Sequence, residues 1–209
     1  MGVQDFIAGQ LRKPTGFFGR HVTARFMSWA NAEINLRTME AMSLQPDDRV
    51  LEVGPGPGDL MNRIIPMVPS GSVTGVDFSP EMVEVCTTRF APLVASGRVE
   101  LRFANADALP CAPGQFTKAC TVNTIYFWPE PAVVVGEFWR VLRTAGRLVV
   151  SFRPRVTMKK LSATPAFALY DGEEVARLLE RAGFGDIQLI RGEDRRGEHL
   201  CVVGDKRAD

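Results

Sequence analysis

The stretch Val50-Leu51-Glu52-Val53-Gly54-Pro55-Gly56-Pro57-Gly58 does most to limit what this chain can become. Its first four residues are mostly apolar, rich in β-branched types, and read as a buried parallel strand. Three glycines at alternate positions then force a tight turn, and Leu60-Met61-Asn62-Arg63-Ile64-Ile65 resumes with helical spacing. Strand, glycine turn and helix is the arrangement in which open α/β sheets hold nucleotide-like ligands. Glycine lets backbone approach the ligand without an intervening Cβ, and the start of the helix offers unpaired N–H groups. A dinucleotide fingerprint needs G-x-G-x-x-G, and its last glycine would fall at Asp59. The pattern that stands here is E-x-G-x-G-x-G, which disfavours a nicotinamide dehydrogenase.

The totals narrow the class further. At 209 residues the chain fits one domain with a substantial core. A net charge of +1 gives no global attraction to nucleic acid or to an anionic membrane. No apolar run approaches the roughly 18–20 residues of a transmembrane helix. The start, Met1-Gly2-Val3-Gln4-Asp5-Phe6, lacks the basic-then-apolar pattern of a signal peptide. Cys86, Cys111, Cys120 and Cys201 are scattered, with no C-x-x-C pair and no neighbouring histidine. Reduced thiols in a cytoplasmic protein, with no metal, are therefore expected.

Downstream, the strand and helix signals alternate. Ser72-Val73-Thr74-Gly75-Val76-Asp77 reads as a second strand ending on a carboxylate, a placement suited to accept from both hydroxyls of a ribose. Ser79, Pro80 and Glu81 then supply a helix cap, a first-position proline and a first-turn acid. Val99-Glu100-Leu101-Arg102-Phe103 alternates as a third strand and runs into Asn105-Ala106-Asp107-Ala108-Leu109-Pro110. A fourth, central strand spans Gln115 to Val122 and delivers Asn123-Thr124-Ile125-Tyr126-Phe127-Trp128-Pro129 to the ligand end of the sheet. Ala132 to Leu142 is a helix closed by Arg143-Thr144-Ala145-Gly146, and Arg147 to Phe152 a fifth strand. A helix from Tyr170 to Ala182 precedes two last strands, Asp186–Arg191 and His199–Gly204, joined by a charged hairpin. Residues 1–46 carry two helical patterns interrupted near Ser28–Asn31.

In this order, E-x-G-x-G-x-G, V-D-x-S-P-x-M, A-D-A-L-P and the helix followed by L-R-x-x-G resemble the class I (Rossmann-like) S-adenosylmethionine-dependent methyltransferases. The resemblance is strong over residues 47–152 and holds in outline elsewhere. It is nearest the group of ubiquinone/menaquinone-biosynthesis-type enzymes that act on small molecules. It implies an α/β, doubly wound three-layer sandwich with a seven-stranded, mostly parallel sheet and an antiparallel last strand. It also implies a helical cap over residues 1–46 ahead of a cofactor-binding domain at 47–209.

The same resemblance implies S-adenosyl-L-methionine as cofactor and S-adenosyl-L-homocysteine as product. The cofactor would be held by Glu52, Gly54, Gly56, Gly58, Asp77, Phe78, Asn105, Ala106, Asp107, Ala108 and Asn123, with Asp107 and the Ala108 N–H reading the adenine edge. Phe18, Tyr126, Phe127 and Trp128 are the candidate acceptor contacts, in a pocket closed by the amino-terminal helices and by loops 123–131 and 153–170. The amino-terminal helices either cover that pocket or pack on the sheet edge, and the basic Arg153, Arg155, Lys159 and Lys160 either face solvent or meet an anionic acceptor. Relatives often show a histidine or other aromatic pair where Tyr126-Phe127 stands, so a catalytic histidine is absent there; His21, in the amino-terminal cover where relatives place substrate contacts, and Tyr126 are the candidate bases, while His199, inside the last strand, is structural. Relatives usually carry aspartate where Thr117 stands, far from the ligand. The reaction expected is methyl transfer to oxygen, nitrogen or carbon of a small molecule, by a monomer or homodimer. The alternative is a non-catalytic or non-methylating S-adenosylmethionine-binding protein on the same fold. A nucleic-acid methyltransferase would show N-P-P-Y/F or D-P-P-Y/F after strand four, where Asn123-Thr124-Ile125-Tyr126 stands.

Overall fold

A computed structural model describes residues 31–160 and 168–207. Its strands are β1 (Arg49–Val53), β2 (Ser72–Asp77), β3 (Val99–Phe103), β4 (Phe116–Val122), β5 (Leu142–Phe152), β6 (Phe184–Asp194) and β7 (Gly197–Lys206). The helices are α1 (Ala32–Met42), α2 (Asp59–Ile64), α3 (Pro80–Arg89), α4 (Ala91–Ala95), α5 (Pro131–Val141), α6 (Arg155–Met158) and α7 (Gly172–Arg181). One seven-stranded sheet runs in the order β3-β2-β1-β4-β5-β7-β6. The pairs from β3 across to β5 are parallel, and β7, the last strand in sequence, is antiparallel to both β5 and β6.

The parallel pairs follow from what connects them. A parallel return needs a long crossover, and α2, the α3–α4 pair and α5 supply three of them. With helices on both faces, the central strands bury side chains in both directions, and β1 is exposed only at Arg49. Leu51, Val53, Leu148 and Val150 meet Val134 and Phe138 of α5 and Val175 and Leu179 of α7. On the opposite face Val50, Val73, Cys120 and Val149 meet Ile34 and Met42 of α1 and Leu60 and Ile64 of α2. The described part of the amino-terminal segment is thus a sheet-packing helix. Its Thr38 hydroxyl lies 2.7 Å from that of Ser151 on β5.

Several boundaries differ from the sequence expectation. β5 starts at Leu142 rather than Arg147, because Leu142 already pairs with Phe116 and the expected turn is absorbed as a register shift with Ala145 at φ 59. α7 starts at Gly172, capped reciprocally by Asp171 and Glu174. β6 and β7 extend almost to the hairpin tip, where Arg191, opposite Leu200 in the ladder, reaches diagonally to Glu198 at 2.7 Å.

Candidate functional site

The chain runs outward from β1 through β2 to β3, then returns to β4 on the other side of β1. Connections therefore leave the carboxyl ends of β1 and β4 in opposite directions and open a crevice there. A cavity of about 360 Å³ occupies it, lined by 52–57 at the end of β1, 76–78 at the end of β2, 104–107 after β3 and 122–124 at the end of β4. Phe127, Trp128, Pro129 and Val134 close one side, and Asn31 and Asn35, at the start of α1, close another. That volume is within the range of small-molecule and cofactor sites.

The glycine turn is built for close approach. Gly54 has φ +75°, donates its N–H to Val76 O at 2.8 Å, and has no room for a side chain: a Cβ would lie 2.4 Å from Thr124 Cγ2. Gly58 has a different task. It caps α2 at φ +81°, and a Cβ there would lie 2.7 Å from the Phe90 ring on the side away from the cavity, so this residue, expected at the cofactor, packs α2 against α3 instead.

Two buried carboxyl groups flank the turn. Asp77, at the tip of β2, accepts from Gly56 N at 3.1 Å on one oxygen and from Ser79 N at 2.9 Å on the other. Burial pushes its pKa up, and those amides oppose the shift. The Phe78 N–H serves the same carboxyl group as a third backbone donor, which leaves acceptor capacity for one further donor. Glu52 is 2% exposed, and its Oε2 is buried without a hydrogen-bond partner. Burial first, then Asp77 and Asp59, raise its pKa to about 8. Asp59 and Asp107 also line the cavity, whereas none of the described lining residues is Lys, Arg or His.

At the end of β4, Asn123 adopts φ +55° and donates from Nδ2 to Asn31 Oδ1 at 3.0 Å. Tyr126, expected at the acceptor and as a candidate base, does not line the cavity. Its side chain is buried; the hydroxyl accepts from Arg153 N at 2.6 Å and lies 3.0 Å from Arg153 O and 3.1 Å from Asn123 Oδ1. Burial also raises its pKa, so it stays a protonated structural tie and not a base. Phe127 and Trp128 do line the cavity, and Trp128 Nε1 is a buried donor without a partner. Ala108, expected to read adenine, is exposed and donates its N–H to Asn105 O at 3.3 Å, outside the lining. Of the basic loop, Arg153 is buried against Asp194 and Arg155 pairs with Glu174, so neither faces the cavity as an anion site. Phe18 and His21 lie outside the described residues.

The expected residues that meet at the cavity are Glu52, Gly54, Gly56, Asp77, Phe78, Asn105, Ala106, Asp107, Asn123, Phe127 and Trp128. Asn31, Asn35 and Thr124 join them without having been anticipated. Asn35 left one readable trace: it is a buried polar residue beside Ile34, one turn before Thr38 and two before Met42 on the core face of α1. Among the described residues no helix is long and apolar enough to cross a membrane, and no cluster of three metal-ligating side chains forms.

Comparison with known proteins gives a consistent picture. The family model of a methyltransferase domain matches residues 50–146. An uncharacterized methyltransferase, YdaC of Bacillus subtilis, is 23% identical over 90% of this chain and 99% of its own length. A ubiquinone/menaquinone biosynthesis C-methyltransferase, UbiE of Geotalea daltonii, is 33% identical over 50% of this chain and 45% of its own, so the chain spans about half of that relative. The crystal structure of a SAM-dependent methyltransferase from Aquifex aeolicus superposes with a TM-score of 0.70 at 20% identity, over 85% of this chain and 93% of that one.

Proposed function

The chain belongs to the class I S-adenosylmethionine-dependent methyltransferases, and from that premise we propose that it methylates a small-molecule acceptor in the crevice beyond β1 and β4. The observation that carries this reading is the pairing of Asp77 and Glu52 around a turn too tight at Gly54 for any side chain. The residues present fit the cofactor. Asp77, at the tip of β2 on the cavity wall, keeps acceptor capacity for a ribose hydroxyl beside its three backbone donors. Phe78 and Asn105, Ala106 and Asp107 wall the side where an adenine would lie, and Glu52 faces the cavity with an unmatched oxygen.

When bound, the cofactor supplies a methyl group on a positively charged sulfur that leaves as a neutral thioether. The protein's task is then alignment and exclusion of water. Four carboxyl-bearing side chains and no described cation on the wall favour a positively charged occupant. Phe127, Trp128 and Pro129 offer an apolar surface to an aromatic or otherwise hydrophobic acceptor. Of the expected cap over residues 1–46, Asn31 and Asn35 stand on the cavity wall in this reading, and residues 1–30 lie outside the described residues. Four buried free thiols fit work in a reducing, cytoplasmic compartment, by a monomer or homodimer.

Calorimetric titration with S-adenosylmethionine and S-adenosylhomocysteine tests the reading, with micromolar binding expected. Asp77→Ala should weaken both by about 1–3 kcal/mol, since a buried ribose hydroxyl loses its acceptor. Unchanged affinity in that variant would remove Asp77 from the site. Binding without turnover on oxygen, nitrogen or carbon acceptors would instead favour a non-methylating cofactor binder.

A further inference from the structure

The glycine turn has few donors of its own. Pro55 and Pro57 have no N–H. The three N–H groups that remain between Gly54 and Gly58 are engaged: Gly54 N with Val76 O at 2.8 Å, Gly56 N with Asp77 at 3.1 Å and Gly58 N with Pro55 O at 2.9 Å. The outer face of the turn is held from α3. The fully buried Cys86 thiol donates to Gly56 O at 3.1 Å, and Arg89, one helical turn further along, donates to Pro57 O at 2.7 Å. Through the same nitrogen Arg89 pairs with Asp59 at the start of α2, at 2.8 Å, and its guanidinium lies 5.5 Å from the centre of the Phe90 ring. The Gly56–Pro57 peptide has a carbonyl but no N–H, so Cys86 holds its one polar group. Burial pushes the thiol pKa up to about 12, so Cys86 keeps the proton it donates.

Neither Cys86 nor Arg89 lines the cavity, whereas Gly56, Pro57 and Asp59 do, as does Met82 on α3 itself. We propose that Cys86 and Arg89 are positioning residues for the cofactor site: from behind the turn they hold the Gly56 and Pro57 carbonyls toward α3, and so fix the wall that a ligand meets at Gly56 and Pro57. The proposal rests on the cofactor reading above. A buried carbonyl left without its donor is costly, so loss of Cys86 favours turn conformations in which Gly56 O finds another partner. Molecules in those conformations present a different wall, and affinity falls in proportion to the fraction that has left the competent state. Pro57 O is more open to water, so loss of Arg89 has the smaller effect and acts through the freed carbonyl and the broken tie to Asp59.

The test is calorimetry of the full chain with S-adenosylhomocysteine, run well below the unfolding midpoint of each variant so that lost stability alone leaves affinity unchanged. Cys86→Ala should weaken binding about fivefold and Arg89→Met about threefold. The conservative variants should rescue: Cys86→Ser keeps an O–H donor and Arg89→Lys a cationic N–H donor, and both should bind within about twofold of wild type. Cys86→Ser as weak as Cys86→Ala would place the effect in packing and overturn the role given to Cys86. Arg89 is exposed, so its pair of variants decides even if Cys86→Ala folds poorly. Wild-type affinity in both Cys86→Ala and Arg89→Met, whatever their stability, would overturn the proposal while leaving the cofactor reading in place. Failure of the wild-type protein to bind would overturn both.

Discussion

Two acids of this molecule, the half-buried Asp194 at the β6–β7 hairpin and the buried Glu52 in the crevice, are treated in opposite ways. Asp194 receives Arg153 on both oxygens, at 3.0 and 2.6 Å, and the Arg196 N–H at 2.8 Å. Burial pushes its pKa up, but Arg153 and that amide more than offset the push and hold it below the usual carboxylate value. Glu52, more deeply buried, has one backbone donor, two acidic neighbours and a pKa raised to about 8. The chain supplies its own countercharge where charge serves architecture. Where charge faces a ligand, it leaves the partner to be brought in.

The largest expected effect comes from breaking the satisfied member. Arg153→Met should destabilise by about 3 kcal/mol in urea unfolding, because the half-buried Asp194 loses the guanidinium that pairs with both its oxygens. A loss below about 1 kcal/mol would mean that Asp194 is solvated after all and that the two acids do not differ in kind. The unsatisfied member should respond with the opposite sign. Glu52→Gln should stabilise the ligand-free protein by about 2–3 kcal/mol at pH 7. The sign follows from linkage: with its folded pKa raised from 4.5 to about 8, the stability Glu52 contributes is complete below pH 4.5. It is lost progressively as the unfolded chain ionises and the pH climbs through about 8. The variant should erase that slope between pH 5 and 8. Destabilisation at pH 7 would show that Glu52 has a countercharge within the protein, and the contrast would collapse.

What could be read in advance follows the same division. The bounds of β2 and β3, the Ser79 cap, the acid at the tip of β2 and the antiparallel last strand were all legible, because local periodicity and turn chemistry decide them. Tyr126 was misread because an aromatic run in a loop looks alike whether it meets a ligand or a backbone. Its fate is settled by Arg153, a contact no local pattern reveals. Gly58 was misread for a similar reason: spacing marks it as part of the turn, but the Phe90 ring, not a ligand, fills the space a side chain would need. Asn31 and Asn35 escaped notice since helical spacing identifies a buried face without saying that part of it borders a cavity. Arg153 read as loop charge because its partner lies on a distant hairpin.

The smallest expected effect probes the end of the sheet opposite the crevice. Thr117, at the start of β4, accepts the Arg49 N–H at 2.9 Å, and its hydroxyl lies 3.2 Å from Arg49 O, tying β4 to the first residue of β1. A single hydroxyl thus meets both polar groups of one backbone residue. Thr117→Val keeps the shape and removes both interactions, so it should cost about 1 kcal/mol in unfolding free energy. Cofactor affinity should stay within about twofold, because Arg49 and Thr117 sit at the strands' amino ends while every cavity-lining loop leaves the carboxyl ends. Asp77→Ala should differ in kind, with a change in affinity well beyond that of Thr117→Val, since its carboxyl group lines the cavity. If Thr117→Val moved affinity more than stability, the two ends of the sheet would be mechanically coupled, and the division between paired structural groups and unpaired ligand-facing ones would no longer explain where this chain puts its polar residues.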